Sequence, residues 1–199
     1  MKTIFCTLAF VALCSFTVYA PITQKERAYL LSYRASAKAL LDKETKGLSD
    51  EQLNWKPNDS TWSIANCVEH ITLTEKGIFD WAMTTLKETA DPAQKSEVKV
   101  SDDQIKAMIE QRTQKAKAPE QLKPGGALKD YQKAMATFKE QSDHLENYIK
   151  TTKDDLRDHF AKTPIGTIDT YQMLVFLTAH TRRHTAQIIE LKAMPDFPK

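Results

Sequence analysis

The sequence predicts an all-α fold: a four-helix bundle with a long crossover between helices two and three. Two observations predict it. Four long stretches repeat apolar residues at three- and four-residue steps, the period of a helix with one buried face. The one long stretch without that period, residues 88–129, falls between the second and third of them, and no segment reads convincingly as a strand.

Helix one spans about Thr23 to Thr45, with Tyr29, Leu30, Tyr33, Ala37, Leu40 and Leu41 on its stripe. No glycine or proline interrupts it, and Gly47 suits a C-terminal cap. In "LSDEQLNWKPNDSTWS", Ser49 with Gln52 makes a capping-box pattern and predicts about one helical turn before Pro57. Ser63 caps helix two, which runs to about Lys87 with Ile64, Cys67, Val68, Ile71, Ile78, Trp81 and Ala82 on its stripe. Residues 88–129 are polar and carry Pro92, Pro119, Pro124 and Gly125-Gly126. Ser101 and Gln104 open a short helix there, but apolar residues are too few for a second domain. Helix three runs from about Leu128 to Thr151 through Tyr131, Met135, Phe138, Leu145 and Ile149. "DHFAKTPIGTID" reads as a loop, and helix four follows from about Asp169 to Ala193. Short connections after helices one and three predict antiparallel neighbours, and the long crossover allows helix three to change direction.

The first twenty residues, "MKTIFCTLAFVALCSFTVYA", read as a secretory signal peptide. A lysine precedes an apolar run, and Val18-Tyr19-Ala20 suits cleavage before Pro21. The expected organisation is therefore a signal peptide over 1–20 and one domain over 21–199, in a secreted or periplasmic protein with no stable membrane anchor. Cleavage removes two of the three cysteines, leaving Cys67 and no internal disulfide. The formal net charge is +2 and no basic run stands out, which argues against nucleic acid as a partner. Pairing into a homodimer stays open.

Two of the five histidines lie in "HTRRHTAQI". His180 and His184 are one helical turn apart and continue an inner row of Met173, Leu177, Gln187 and Leu191. Two neutral imidazoles so placed suit one metal ion, and equally suit two buried side chains bonded to other groups. The glutamate of HExxH is missing, which disfavours a zinc protease. His70 borders the core face of helix two, on a row with Thr74, Gly77 and Trp81, and needs a partner if buried. Cys67, one turn before it, suits a fourth ligand but more readily a small buried apolar residue. Glu69 is rotated about 100° from His70 and is expected to face elsewhere. Trp55 and Trp62 suit walls for a site mouth, and suit better the packing of the loop onto the bundle end. Arg183 suits an anion-steering role, and better a solvated charge. His144 and His159 are expected on the surface.

"LSDEQLNWKPNDSTWSIANCVEHI", "APEQLKP" and "TIDTYQMLVFLTAHTRRHTAQI", in that order, resemble the DinB-like superfamily in its YfiT-type branch. The resemblance covers essentially all of residues 21–199. It implies a four-helix bundle holding a divalent metal, nickel or zinc, through three histidines, which fall here on His70, His180 and His184. It also implies thiol transfer with bacillithiol or mycothiol, or thiol-dependent isomerisation, among the reactions of relatives. The expected leader departs from that pattern, because such thiols are mainly cytosolic. The expected function is a metal-dependent hydrolase or group transferase acting on a small molecule. The alternative is a non-catalytic metal-binding or stress-associated bundle. No general base stands out, since no carboxylate falls on either histidine row.

Overall fold

The computed structural model describes residues 21–114 and 117–199, so the leader expected over 1–20 lies outside the described residues. Four long helices carry the fold: α1 (Gln24–Thr45), α3 (Ile64–Thr85), α5 (Tyr131–Thr151) and α6 (Thr170–Lys192). Two short ones, α2 (Asp50–Asn54) and α4 (Asp102–Glu110), lie between them. Each helix starts where the sequence supplies a side-chain cap. Thr23, Ser49, Ser63, Ser101 and Asp169 form full capping boxes with Glu26, Gln52, Asn66, Gln104 and Gln172, and Asp130 caps α5 through the Lys133 amide. Gly47, just past α1, has φ +78°, a left-handed conformation that glycine adopts without a Cβ penalty.

Side-chain contacts fix the helix directions. Arg27 near the start of α1 donates to carbonyls at the end of α5, at Ile149 and at Thr152 (2.9 Å), so these two run antiparallel. Tyr171 reaches Glu26 and Lys192 reaches Glu44, so α1 and α6 run parallel. Thr72 meets Ala134, and Phe79 meets Tyr148, so α3 and α5 also run parallel. The packed pairs are α1–α6, α6–α3, α3–α5 and α5–α1. Sequential helices α1 and α3 therefore sit across a diagonal of the bundle, as do α5 and α6. The antiparallel directions expected after helices one and three hold, but the two helices of each pair are not neighbours, which corrects that part of the expectation. The connections on either side, 46–63 and 152–169, are long enough to cross an end of the bundle instead of turning tightly.

A second correction concerns 160–169. The stretch read as loop holds a two-stranded antiparallel hairpin, β1 (Phe160–Thr163) with β2 (Gly166–Asp169). Its cross-strand partners Ala161 and Ile168 both bury their side chains in the bundle core. Four residues per strand give too few alternations to show a period of two.

The core has two apolar halves. Leu30, Leu145, Ile149, Leu174 and Leu177 belong to one, and Leu41, Ile71, Phe138 and Ile188 to the other. Between these positions along α1, α3 and α5 stand Arg34, Glu75 and Ser142, all buried. Arg34 Nη2 donates to Glu75 (3.2 Å) and Ser142 (3.0 Å), and the Ser142 hydroxyl donates to Glu75 (2.8 Å). The segment between α3 and α5 contributes Ile105 of α4 to the first half, packed on α6. Among the described residues, no helix is long and apolar enough to cross a membrane.

Candidate metal centre

His70 projects from α3 toward α6, where His180 and His184 stand one turn apart. The three side chains offer ligand atoms that all lie within 4.8 Å of one another. His70 Nε2 is 3.2 Å from His180 Nε2, and the ring centroids are 4.5–4.8 Å apart. His70 and His184 are buried, and His180 is half-buried. The site is thus built into the packed seam of α3 and α6, with His180 the least covered of the three residues.

Hydrogen bonds decide which nitrogens are offered. His70 Nδ1 is 2.7 Å from the carbonyl oxygen of Leu122. A carbonyl only accepts, so Nδ1 carries the proton and Nε2 keeps its lone pair. His184 Nδ1 lies 3.0 Å from Gln187 Oε1 and makes the same choice. Burial pushes the pKa of all three rings down, His184 to about 3, with each ring's charge further opposed by its neighbours at His180 and His184. Three neutral imidazoles converge, and lone pairs 3.2 Å apart repel unless a proton or a cation lies between them. With zinc–nitrogen bonds of about 2.0–2.1 Å, tetrahedral ligand atoms stand roughly 3.3–3.4 Å apart; the His70–His180 separation of 3.2 Å matches that spacing and the remaining ligand atoms lie within 4.8 Å, so these residues suit a divalent ion of that kind.

The surrounding residues sort the remaining expectations. Cys67 is fully buried in the apolar core and is not part of the cluster. Burial pushes its thiol up to about 12. Glu69 faces away from the histidines and accepts from the Gly126 and Leu128 amides, both at 3.2 Å. The two tryptophans divide. Trp55 packs edge-on against Phe197, whereas Trp62 lies against the rings of His70 (4.7 Å) and His184 (5.8 Å), so Trp62 lines the site. Arg183 neither floats in solvent nor faces the site: it donates to the carbonyls of Gln111 and Gln114. His144 is exposed, but His159 is half-buried beside the Thr85 carbonyl, not on the open surface.

Three contributors had no assigned role in the sequence. Gln187 is on the same row as His184 at a three-residue step, a visible clue to a side-chain pair. Phe176, one turn before His180, stacks on its ring at 6.3 Å. The Leu122 carbonyl is backbone, and its side-chain identity carries no sign of the bond.

A helical bundle whose second and fourth long helices pool three imidazoles defines the class. The chain belongs to the DinB superfamily, whose family model matches residues 35–188. It is 25% identical over 150 residues to the uncharacterized protein YuaE of Bacillus subtilis (strain 168), covering 75% of this chain and 88% of that one. In structure it resembles YfiT from Bacillus subtilis, described as a probable metal-dependent hydrolase with an unusual four-helix bundle topology. That likeness has a TM-score of 0.57 at 17% identity and covers 86% of this chain and 88% of the other. At this identity it speaks for the fold.

Proposed function

We propose that this protein is an exported metal-dependent hydrolase or group transferase acting on a small molecule. His70, His180 and His184 would hold the divalent ion, zinc or nickel. The observation that carries the reading is the convergence of three imidazoles with His70 Nε2 and His184 Nε2 both left unprotonated by their Nδ1 bonds. The solved relative described as a probable metal-dependent hydrolase supports it.

Three protein ligands leave a coordination position open, which is the pattern of catalytic sites. A bound divalent ion would supply Lewis-acid chemistry, polarising a substrate oxygen or lowering the pKa of a nucleophile. The chain's own residues have three roles. The Leu122 carbonyl and the Gln187 side chain orient two of the imidazoles. Trp62 and Phe176 flank the rings and shield them from bulk water. His180, the least covered of the three residues, would face the side from which a small molecule approaches.

The test is metal analysis of the purified protein, followed by a screen of the loaded protein against ester, amide and thiol-transfer substrates. Turnover that vanishes in His180→Ala supports the reading. Stoichiometric metal without turnover on any substrate class returns the protein to the non-catalytic alternative.

A further inference from the structure

The segment that follows α4 makes a reciprocal set of contacts with the "HTRRH" run of α6. Arg182, between the two α6 histidines, donates to Glu110 at 2.9 Å. Arg183 beside it donates to the carbonyls of Gln111 and Gln114. The segment so held returns Arg112 to α6. Arg112 pairs with Glu190, at 2.8 Å from Nη2 and 3.0 Å from Nε, and donates through Nη1 to Gln187 Oε1 at 3.2 Å. That same oxygen faces His184 Nδ1 at 3.0 Å. Further along the segment, Leu122 supplies the carbonyl on His70.

A side-chain amide beside an imidazole is ambiguous. Gln187 could present its oxygen, which requires a proton on His184 Nδ1, or its NH₂, which requires the lone pair there. Only the first leaves Nε2 free to face His70 and His180. A guanidinium has donors only, so Arg112 can bond the oxygen of Gln187 and not its NH₂. We infer that Arg112 is a positioning residue for the metal centre. By fixing the amide orientation of Gln187 it sets the His184 tautomer, so that the long connection between α3 and α5 serves as the outer shell of the site. This rests on the metal reading above but makes a claim of its own, because the tautomer exists whether or not an ion is bound. Outer-shell partners of metal-ligating histidines typically change affinity by about 10–100-fold when removed.

The experiment compares wild type, Arg112→Leu, Gln187→Leu and Gln187→Glu by two readouts. The first is the ¹⁵N spectrum of the His184 ring in the metal-free protein at pH 7.5. The second is zinc affinity by competition with a chromophoric chelator. Wild type is expected as the single Nδ1–H tautomer and Arg112→Leu as a mixture, because the freed amide can rotate. Arg112→Leu and Gln187→Leu are expected to bind zinc about 10–100-fold more weakly. Gln187→Glu, an acceptor in either orientation, is expected to keep both the tautomer and the affinity. A merely structural Arg112 would leave the tautomer single. A single Nδ1–H tautomer in Arg112→Leu, with wild-type affinity, overturns the inference. If wild type binds no zinc, the metal reading fails, and the tautomer alone decides the role of Arg112.

Discussion

His70 Nε2 lies 3.2 Å from His180 Nε2, although 110 positions separate the two residues in the chain. His70 is buried and His180 half-buried, and His184 closes the triangle. Such a cluster has consequences for stability as well as for chemistry.

The first consequence is a pH dependence. In the unfolded chain these histidines titrate near 6.5, while burial holds their pKa lower in the fold, at about 3 for His184. Below about pH 6.5 the unfolded state therefore binds more protons. The contribution is fully present above that pH and is lost as pH falls toward the folded values. For His184 alone the loss at pH 5 is on the order of 2 kcal/mol. Urea unfolding of the metal-free protein should show a lower midpoint at pH 5 than at pH 7.5. The drop should shrink in His184→Leu, and an undiminished drop would count against the buried neutral cluster.

The buried Arg34–Glu75 pair gives a second prediction. Both side chains are 2% exposed, with Ser142 bonded to each. Glu75→Ala should destabilise by about 3–5 kcal/mol, because it strands a buried charge. The double change Arg34→Met with Glu75→Leu should be far milder, or stabilising. Chemical denaturation of the two variants distinguishes these outcomes. Similar losses in both would mean that the pair is worth more than its desolvation cost.

How much of this was legible in the sequence depends on what kind of group makes each contact. Helix starts were readable at Ser49, Ser63 and Ser101, which cap through their own side chains, whereas Thr23 and Asp169 cap in the same way without standing out, and α5 starts at Tyr131 behind the Asp130 cap instead of near Leu128. The histidine pair of α6 was visible from a four-residue step, and His70 from its border position on α3. The diagonal placement of α1 and α3 was not, since periodicity gives each helix a buried face without saying which helix covers it. The 160–169 hairpin was hidden by its shortness. Arg112 was unreadable as a partner of Gln187, because that contact depends on how the connection lies over α6, which no local pattern encodes.

Cys67 yields a third prediction. It is fully buried, and its thiol is pushed up to about 12. A thiol reagent at pH 8 should leave it unmodified in the native protein and modify it quickly in urea. Reductant should leave the Tm of the cleaved protein unchanged. A Tm that falls with reductant would point to a bridge between chains.

Export is the fourth. The leader read from residues 1–20 should be removed, so that N-terminal sequencing of the secreted or periplasmic protein begins at Pro21. An intact leader on protein recovered from the cytosol would contradict this.

Zinc-binding isotherms of wild type and of the His70→Ala, His180→Ala and His184→Ala variants, with His144→Ala as control, decide whether three histidines hold one divalent ion. Wild type and the control should bind one ion per chain with equal affinity. Each of the other three should lose more than about 100-fold, beyond the range of outer-shell changes, with far-ultraviolet circular dichroism unchanged. No stoichiometric binding by wild type, or wild-type affinity in any one of those three variants, would contradict the account.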